Sequence, residues 1–262
     1  RQVSSHTIDS YRDCLNSFID YLERIENISR KKISFHNFGK ETIKRYQTWM
    51  ITEQGLAPKT CNLRLTAIRS FLEYAAQEYL WIMPVYTDAC SVAGVKTTSR
   101  AIEYFEPPEM TALLAAPSGS SKTDRRNQMM LIFLYDTAAR VAEARQVKVS
   151  DLHLDAEVPY VTLLGKGRKY RNIPLMEKTI HHLKRYLKDF HGSDSKTDRP
   201  LFYSKAHGLV HELSSDTFEK MIKRYAAKCR ADGYPMPDHV HCHMIRKTRA
   251  MDLYREGVPL PH

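Results

Sequence analysis

The segment from His239 to His262, "HVHCHMIRKTRAMDLYREGVPLPH", is dense in side chains that bind protons, metals or anions. Histidines alternate at positions 239, 241 and 243, so an extended backbone would place them on one face, with Cys242 beside them. A zinc site is therefore conceivable. However, the sequence has no second group of Cys or His at ligand spacing, and a structural zinc site requires four protein ligands. The pattern favours polar loop positions for His239 and His241, and no metal is predicted.

His243 and Arg246 differ from their neighbours because of their spacing. Three positions apart at the start of a predicted helix, they would present an imidazole and a guanidinium to the same point. Free backbone N–H groups at the helix start would also face an anion there. Arg140 and Glu143 repeat this spacing in "TAARVAEA". Taken alone, such an Arg–Glu pair is most often a surface ion pair that contributes little.

Lys166 lies between two glycines in "YVTLLGKGRKYRNIPL". The β-branched and apolar residues on both sides of this short basic segment predict a β-hairpin with the lysine at its tip. Alone, Lys166 is simply a turn lysine. Two arginines, one histidine and one lysine together suit a pentavalent phosphorus, because arginines hold its oxygens bidentately while lysine and histidine move protons.

The composition favours a polyanionic partner. The 262 residues carry a formal net charge of +10, which makes nucleic acid the first candidate and an anionic membrane surface the second. The most apolar stretch, "MMLIFLY", is far too short to span a membrane, and no signal-peptide pattern is present. The five cysteines are odd in number and irregularly spaced, which argues for a reducing compartment. Because the sequence begins "RQVSS" without methionine, it is expected to be trimmed from a longer product.

Helical periodicity dominates the first part of the chain. The segment "APKTCNLRLTAIRSFLEYAAQEY" predicts a helix with Leu63, Ala67, Phe71 and Tyr74 facing inward. The basic residues Lys59, Arg64 and Arg69 lie largely off that stripe. They are interpreted either as a solvated face or as contacts to phosphate, and both readings remain open.

The pattern changes at "PVYTDACSVAGVKTTSR", which is rich in small and polar residues and has no clean period. It predicts an interdomain linker over residues 84–102, between a helical domain over 1–83 and a larger domain over 103–262. The larger domain is predicted to be helical except for the hairpin. The expected fold class is mainly α with a small antiparallel β-sheet.

Three ordered segments resemble the tyrosine recombinase (phage-integrase) family. "YDTAARVAEARQVKVSDL" resembles its first arginine box, "GKGRKYRNIPL" its β-hairpin lysine segment, and "HMIRKTRAMDLYREG" its HxxR box. "GLAPKTCNLRLTAIRSFLEYA" resembles its helical, SAM-like core-binding domain. The resemblance covers nearly the whole chain and implies two domains that close around double-stranded DNA as a C-shaped clamp.

The resemblance also implies a mechanism and a set of roles. Members of the family cut DNA with a tyrosine, form a 3′-phosphotyrosine and free a 5′-hydroxyl, without a metal or any other cofactor. By match, Arg140 and Arg246 would clamp the scissile phosphate, and Lys166 would protonate the leaving 5′-oxygen. His243 would assist proton transfer at the nucleophile, and Glu143 would orient and charge-balance the site.

Three departures from the family pattern bear on activity. Ala138 stands where the box commonly has Gly, a change expected to be mild because a helix tolerates it, and Lys247 stands where His is frequent. The nucleophilic tyrosine is expected about 30–35 residues after His243, past the last residue of this sequence. Tyr254 is too close to Arg246 for that role. The domain over 103–262 is therefore expected to be C-terminally truncated, so that this chain binds DNA without cleaving it.

The leading hypothesis is a site-specific recombinase for integration, excision or transposition of a mobile element. A catalytically silent DNA-binding module of the same fold and a type IB topoisomerase are the alternatives. The resemblance further implies a cytoplasmic protein, encoded by a bacterium, phage or mobile element, that forms a homotetramer on DNA in its full-length form. Charge and position suggest these DNA contacts: Lys59, Arg64, Arg69, Arg168, Lys169 and Lys247.

Overall fold

The protein is described here by a computed structural model. It describes residues 5–98, 101–165, 167–192 and 197–258, with the backbone alone at positions 5, 6 and 206. Within this range the chain divides into two compact units, Arg1–Arg100 and Ala101–His262, hereafter unit 1 and unit 2.

Unit 1 is built from helices. They are α1 (Ser5–Arg24), α2 (Lys40–Thr52), α3 (Pro58–Glu78) and α4 (Met83–Ser91). Aromatic side chains fill the core between α1 and α2: the ring of Phe18 meets that of Tyr46 edge-on at 5.0 Å, and Tyr21 lies 5.3 Å from Trp49. Because aromatic rings bury large areas and pack in offset or edge-on pairs, this cluster fixes the two helices against each other.

The inward face of α3 agrees with the predicted stripe at two of four residues. Ala67 is buried and Phe71 packs against the core, whereas Leu63 is 46% exposed and Tyr74 is 65% exposed. The other inward residues are Leu65, Ile68 and Leu72, which are buried. Both sets of residues satisfy helical spacing, so periodicity alone could not choose between them. Packing against the rest of the core selected Leu65, Ile68 and Leu72 in place of Leu63 and Tyr74.

The first part of the segment predicted as a linker is helical and docked. Helix α4 occupies Met83–Ser91, and Ala89 is buried in the unit 1 core. Beyond the helix, the Asn62 side chain accepts from the Val95 N–H at 2.8 Å and donates to the Val95 carbonyl at 2.9 Å. The structure therefore differs from the expectation of a linker over residues 84–95. A nine-residue helix that buries a narrow face shows too few repeats for its period to be recognised.

Unit 2 is mainly helical, with two small antiparallel sheets. Its helices are α5 (Pro107–Ala115), α6 (Lys122–Thr137), α7 (Val141–Gln146), α8 (Glu177–Phe190), α9 (Ser215–Ala231) and α10 (Cys242–Arg255). Its strands are β1 (Leu152–His153), β2 (Tyr160–Leu164), β3 (Tyr170–Pro174), β4 (Tyr203–Ala206) and β5 (Leu209–Glu212). The predicted fold class, mainly α with a small antiparallel sheet, is confirmed.

The predicted hairpin is formed by β2 and β3, and it lies in a three-stranded sheet of order β1-β2-β3. Leu163 pairs with Arg171 across the hairpin, and Leu163 is fully buried. Strands β4 and β5 form a second hairpin that the sequence analysis did not predict. Every residue of β5 is exposed, so this hairpin lacks the apolar alternation by which a half-buried strand is recognised.

The core of unit 2 surrounds α6. The run Met129, Met130, Leu131, Phe133 and Leu134 is buried there, which explains why "MMLIFLY" is so apolar. Among the described residues, the structure contains no helix with the length and apolarity that crossing a membrane requires.

Candidate functional site

The first arginine box is not one continuous helix. Helix α6 ends at Thr137, and Ala138 adopts a left-handed conformation with φ of 47° and ψ of 32°. The expectation that a helix tolerates this alanine is therefore wrong. A side-chain-bearing residue in the left-handed region is strained by roughly 1 kcal/mol or more, which is why glycine suits this position.

Arg140 follows this break as the N-cap of α7, with extended backbone. Its N–H donates to Oε2 of Glu143 at 2.7 Å, and its Nη1 donates to Oε1 at 3.0 Å. The Glu143 side chain is only 4% exposed, whereas that of Arg140 is 51% exposed. The pair is therefore not an ordinary surface ion pair. The carboxylate lies inside the unit and holds an arginine whose free donors face solvent.

A second arginine, Arg171 of β3, holds the same carboxylate. Its Nη1 donates to Oε1 at 2.8 Å and its Nη2 donates to Oε2 at 2.7 Å, a bidentate pair. Sequence reasoning missed this residue. The available signal was alternation: Arg171 and Ile173 face the less exposed side of β3, and a charged residue on that side requires a buried partner.

The protonation state of Glu143 follows from these contacts. Burial would raise its pKa, but hydrogen bonds from Arg171, then from the backbone and side chain of Arg140, together with the charge of Arg171, outweigh burial and lower it to about 2. The group is therefore a carboxylate at every pH at which the protein is ordinarily handled.

The hairpin that carries Lys166 turns next to this carboxylate. Lys166 itself lies outside the described residues. Gly165 donates its N–H to the Lys169 carbonyl at 2.8 Å. A Cβ added at Gly165 would come within 3.0 Å of the Arg171 Nη1 and 3.6 Å of the Glu143 Oε1. Glycine at this position is what allows the turn to approach the ion cluster so closely.

Arg246 of α10 lies close to the first arginine box. Its Nη1 donates to the carbonyl of Ala138 at 2.5 Å. Burial lowers the pKa of Arg246, and the charges of Arg140 and Arg171 lower it further, while Glu143 opposes them. The site thus holds three guanidinium groups: two of them hydrogen-bond the Glu143 carboxylate, and that of Arg246 lies nearby on the Ala138 carbonyl. Such a surplus of positive charge, with donors in fixed positions, suits an anion with several oxygens.

His243 lies one turn before Arg246 on α10 and is exposed. Partial burial lowers its pKa, and the charges of Lys247 and Arg246 lower it further. A neutral imidazole is therefore favoured near neutral pH, and a neutral imidazole can accept a proton.

At the start of α10, one of the N–H groups that were expected to be free already has a partner. The Cys242 N–H donates to both carboxylate oxygens of Glu219, a residue of α9, at 3.3 Å each. A carboxylate at a helix N-terminus is electrostatically favourable, so this contact anchors α10. Burial raises the pKa of the Cys242 thiol, and the nearby Glu219 carboxylate raises it further.

The basic residues of α3 have different surroundings. Lys59 is exposed in the first turn, and Arg64 is half-buried in a cavity that Asp13 and Asp20 also line. Arg69 donates to the carbonyls of Ala89, at 3.2 Å, and of Val92. Arg69 therefore ties α3 to the end of α4.

The basic residues of the hairpin and α10 are more accessible. Arg168, with φ of 59°, and Lys169 are exposed at the hairpin tip, while Lys247 is half-buried next to Arg246. Within the ranges that the structure describes, no three His, Cys, Asp or Glu side chains come together in a way that could hold a metal ion.

Known protein families match both units. Residues 103–262 match the phage integrase family, and residues 1–79 match the phage integrase N-terminal SAM-like domain. Tyrosine recombinase XerD of Halalkalibacterium halodurans is 32% identical over 264 residues, which cover 99% of this chain and 82% of that protein. The putative integrase/recombinase y4rC of Sinorhizobium fredii is 29% identical over 259 residues, or 98% of this chain and 76% of that protein.

Solved structures share the fold. The XerH recombinase in a post-cleavage complex with its palindromic difH substrate has a TM-score of 0.74 at 21% identity, covering 95% of this chain and 69% of that one. A lambda integrase tetramer on a Holliday junction has a TM-score of 0.67 at 16% identity, covering 98% and 69%. Since the catalytic-domain match alone spans residues 103–262, more than half of the sequence, and XerD exceeds 30% identity across most of its length, the chain belongs to the phage integrase, or tyrosine recombinase, family.

Proposed function

We propose that this protein is a site-specific recombinase that cuts and rejoins DNA through a 3′-phosphotyrosine, serving a mobile element. The observation that carries the proposal is that Arg140, held by the buried Glu143 carboxylate, and Arg246, held by the Ala138 carbonyl, lie within electrostatic range of each other. Both arginines have donors left over after their protein contacts, and the cluster keeps a surplus of positive charge. This is the arrangement that a phosphodiester, and more strongly its pentavalent transition state, requires.

The two arginines bind the non-bridging oxygens of the scissile phosphate. Arg140 approaches from the N-cap of α7 and Arg246 from α10, so the two guanidinium groups come from separate elements. The Ala138 carbonyl orients Arg246, and Glu143 orients Arg140. Because these contacts exist before DNA arrives, little reorganisation is needed when charge develops on the phosphate.

Proton transfer is assigned to His243 and Lys166. As the tyrosine oxygen forms its bond to phosphorus and the bond from phosphorus to the 5′-oxygen breaks, His243 takes the proton of the tyrosine hydroxyl. Lys166 gives a proton to the leaving 5′-oxygen, which becomes a free hydroxyl. The phosphotyrosine retains the energy of the broken bond, so the reverse attack by a 5′-hydroxyl rejoins the strand without a cofactor.

The proposal assigns the nucleophile to none of the tyrosines in the described ranges. Tyr254 lies on α10, the same helix as Arg246, and is 58% exposed. The hydroxyl of Tyr135 is committed to Asp252 at 2.8 Å. Residues 1–262 are therefore proposed to bind duplex DNA without cleaving it.

The partner is proposed to be double-stranded DNA, with a tetramer as the recombining species. The net charge of +10 supports a polyanionic partner. Among the proteins of the same fold, XerH is bound to its difH substrate, and lambda integrase is a tetramer bound to a Holliday junction. Proposed phosphate contacts on the exposed surface are Lys59, Arg168 and Lys169, together with the half-buried Arg64 and Lys247.

A nicked suicide duplex tests the proposal. Protein is mixed with a duplex that carries the element's end sequence and is nicked next to the cleavage position, and adducts are resolved on a denaturing gel. Residues 1–262 are compared with the protein at the full length of its gene. A covalent adduct from the gene-length protein alone is expected.

Other outcomes are equally informative. An adduct from residues 1–262 would show that the nucleophile is among their tyrosines. No adduct from either protein, with tight DNA binding retained, would favour a catalytically silent DNA-binding module. Relaxation of supercoiled plasmids without any preferred site would favour a type IB topoisomerase.

A further inference from the structure

The carboxylate of Glu143 is shared unequally by two arginines. We propose that Arg171 is a positioning residue that occupies Glu143 and so leaves Arg140 free to bind phosphate. The inference rests on the proposed function and adds to it a residue that the family-based assignment of roles did not include.

The distances show the inequality. Arg171 donates to both oxygens, at 2.8 and 2.7 Å, whereas the Arg140 side chain donates to one oxygen, at 3.0 Å. The Arg171 side chain is 33% exposed and that of Arg140 is 51% exposed. Both terminal nitrogens of Arg171 therefore donate to the carboxylate, while most of the Arg140 donors remain available.

The backbone reinforces the difference. Arg171 is fixed by the β2–β3 ladder opposite the buried Leu163, and its guanidinium lies directly over Gly165. Arg140 has no such ladder, since it is an N-cap two residues after the left-handed Ala138. If only one arginine held Glu143, the carboxylate would be free to draw the less constrained Arg140 into a bidentate pair.

Loss of Arg171 should therefore act through Arg140. The Glu143 carboxylate is only 4% exposed and cannot exchange its lost partner for bulk water. Its remaining side-chain partner, Arg140, would turn toward it and withdraw donors from the phosphate. DNA affinity should change little, because it is distributed over many phosphate contacts. The cleavage step should slow, because it depends on the arginines at the scissile phosphate.

A second substitution, Glu143→Gln, distinguishes an effect of Arg171 through Glu143 and Arg140 from a simple loss of stability. Glu143→Gln has the same shape as glutamate but no charge with which to capture Arg140. If Arg171 acts only through Glu143, then removing Arg171 should do little more once residue 143 is glutamine. This is the logic of a double-mutant cycle, in which residues on one route are strongly non-additive.

The experiment measures single-turnover cleavage of the nicked suicide duplex by the gene-length protein, together with the Kd for the same duplex. Arg171→Gln is expected to cleave at least about tenfold more slowly with less than about a threefold change in Kd. Arg171→Lys, which retains the charge but not the fork, should be intermediate. Arg171→Gln combined with Glu143→Gln should cleave within about threefold of Glu143→Gln alone.

Arg145→Gln is the matched control. Arg145 lies on α7, as Glu143 does, and its Nε donates to the Leu213 carbonyl at 2.6 Å. It anchors the same helix without touching the carboxylate, so its loss should leave the cleavage rate within about twofold.

The possible failures are distinguishable. Equal rates for the unchanged protein and Arg171→Gln would overturn the inference alone. So would a double variant far slower than Glu143→Gln, a comparison that does not require Arg171→Gln itself to fold. If the unchanged protein forms no adduct, the proposed function and this inference fall together.

Discussion

Unit 1 and unit 2 each contain a glutamate held bidentately by an arginine, yet the two clusters differ in their balance of charge. In unit 1, Arg45 donates to both oxygens of Glu26 at 2.8 and 2.9 Å, and the Tyr21 hydroxyl donates to one of them at 2.5 Å. One positive charge meets one negative charge, and the third partner is neutral. The charges of this cluster are balanced, and its hydrogen bonds join the end of α1 to α2.

In unit 2, Arg171 occupies Glu143 in the same way, but the further partners are arginines. Arg140 donates to the carboxylate, and Arg246 lies beside them on the Ala138 carbonyl. Positive charge is in excess, and the Arg140 side chain remains half exposed. The comparison teaches that bidentate pairing by itself marks a structural tie. An anion site arises where arginines outnumber the carboxylate and one of them faces solvent.

The largest expected effect distinguishes the two clusters by function. Arg140→Ala should reduce cleavage by the gene-length protein at least about a hundredfold, because a charged donor at the phosphate is lost. Arg246→Ala should act similarly, and both should retain most of the DNA affinity. Arg45→Ala should leave cleavage within about twofold. The nicked-duplex assay measures all three, and near-normal cleavage by Arg140→Ala would refute the assignment of the arginine box.

Replacing Glu143 should lower the free energy of unfolding more than replacing Glu26 does. Glu143→Ala leaves two arginines without their buried partner and should destabilise unit 2 by about 3 kcal/mol. Glu26→Ala, in a cluster whose arginine is largely exposed, should destabilise unit 1 by under about 1 kcal/mol. Because Trp49 and Trp81 both lie in unit 1, urea unfolding followed by tryptophan fluorescence reports unit 1, while circular dichroism reports both units. Equal losses would show that burial does not distinguish the clusters.

The stability of unit 2 should depend on pH through Glu143. The pKa of Glu143 is about 2 in the folded protein, against an ordinary 4.5. Because the folded value is depressed, its contribution of about 3 kcal/mol is complete above pH 4.5 and is lost as the pH falls toward 2. In Glu143→Gln, unfolding of unit 2 should depend less on pH within that window. Parallel acid profiles for the two proteins would contradict the lowered pKa.

The same substitution should have opposite effects at two alanines. Ala138→Gly should stabilise unit 2 by about 1 kcal/mol, because glycine adopts φ of 47° without strain. Ala227→Gly, at an exposed position inside α9, should destabilise it by about 1 kcal/mol. Thermal or urea unfolding measures both. A loss of stability for Ala138→Gly would contradict the left-handed assignment.

The smallest expected effect concerns two basic residues of α3. Lys59→Ala should lower the slope of log Kd against log salt by about 0.9, as the loss of one phosphate contact does. Arg69→Ala should leave the slope unchanged and destabilise unit 1 by roughly 1–2 kcal/mol, since it loses the hydrogen bonds to the Ala89 and Val92 carbonyls. Filter binding across a salt series distinguishes the two roles.

Sequence reasoning went furthest where residue type and spacing carry the chemistry. The hairpin around Gly165 and the mainly α fold follow from local alternation and periodicity, and the family follows from three ordered segments. It failed at Ala138, at Leu63 and Tyr74 of α3, and at α4. In each case two local structures satisfied the same residues, and packing against distant parts of the unit chose between them.

The sequence by itself determined the family, the basic charge and which residue types could hold a phosphate. Only the tertiary structure decided that Arg171 shares Glu143 with Arg140, and that the first N–H of α10 donates to Glu219. The physical reason is that hydrogen bonds and ion pairs depend on distances of a few ångströms between residues far apart in the chain. Arg171 lies 28 positions from Glu143, and Glu219 lies 23 positions from Cys242, so no local pattern encodes either contact.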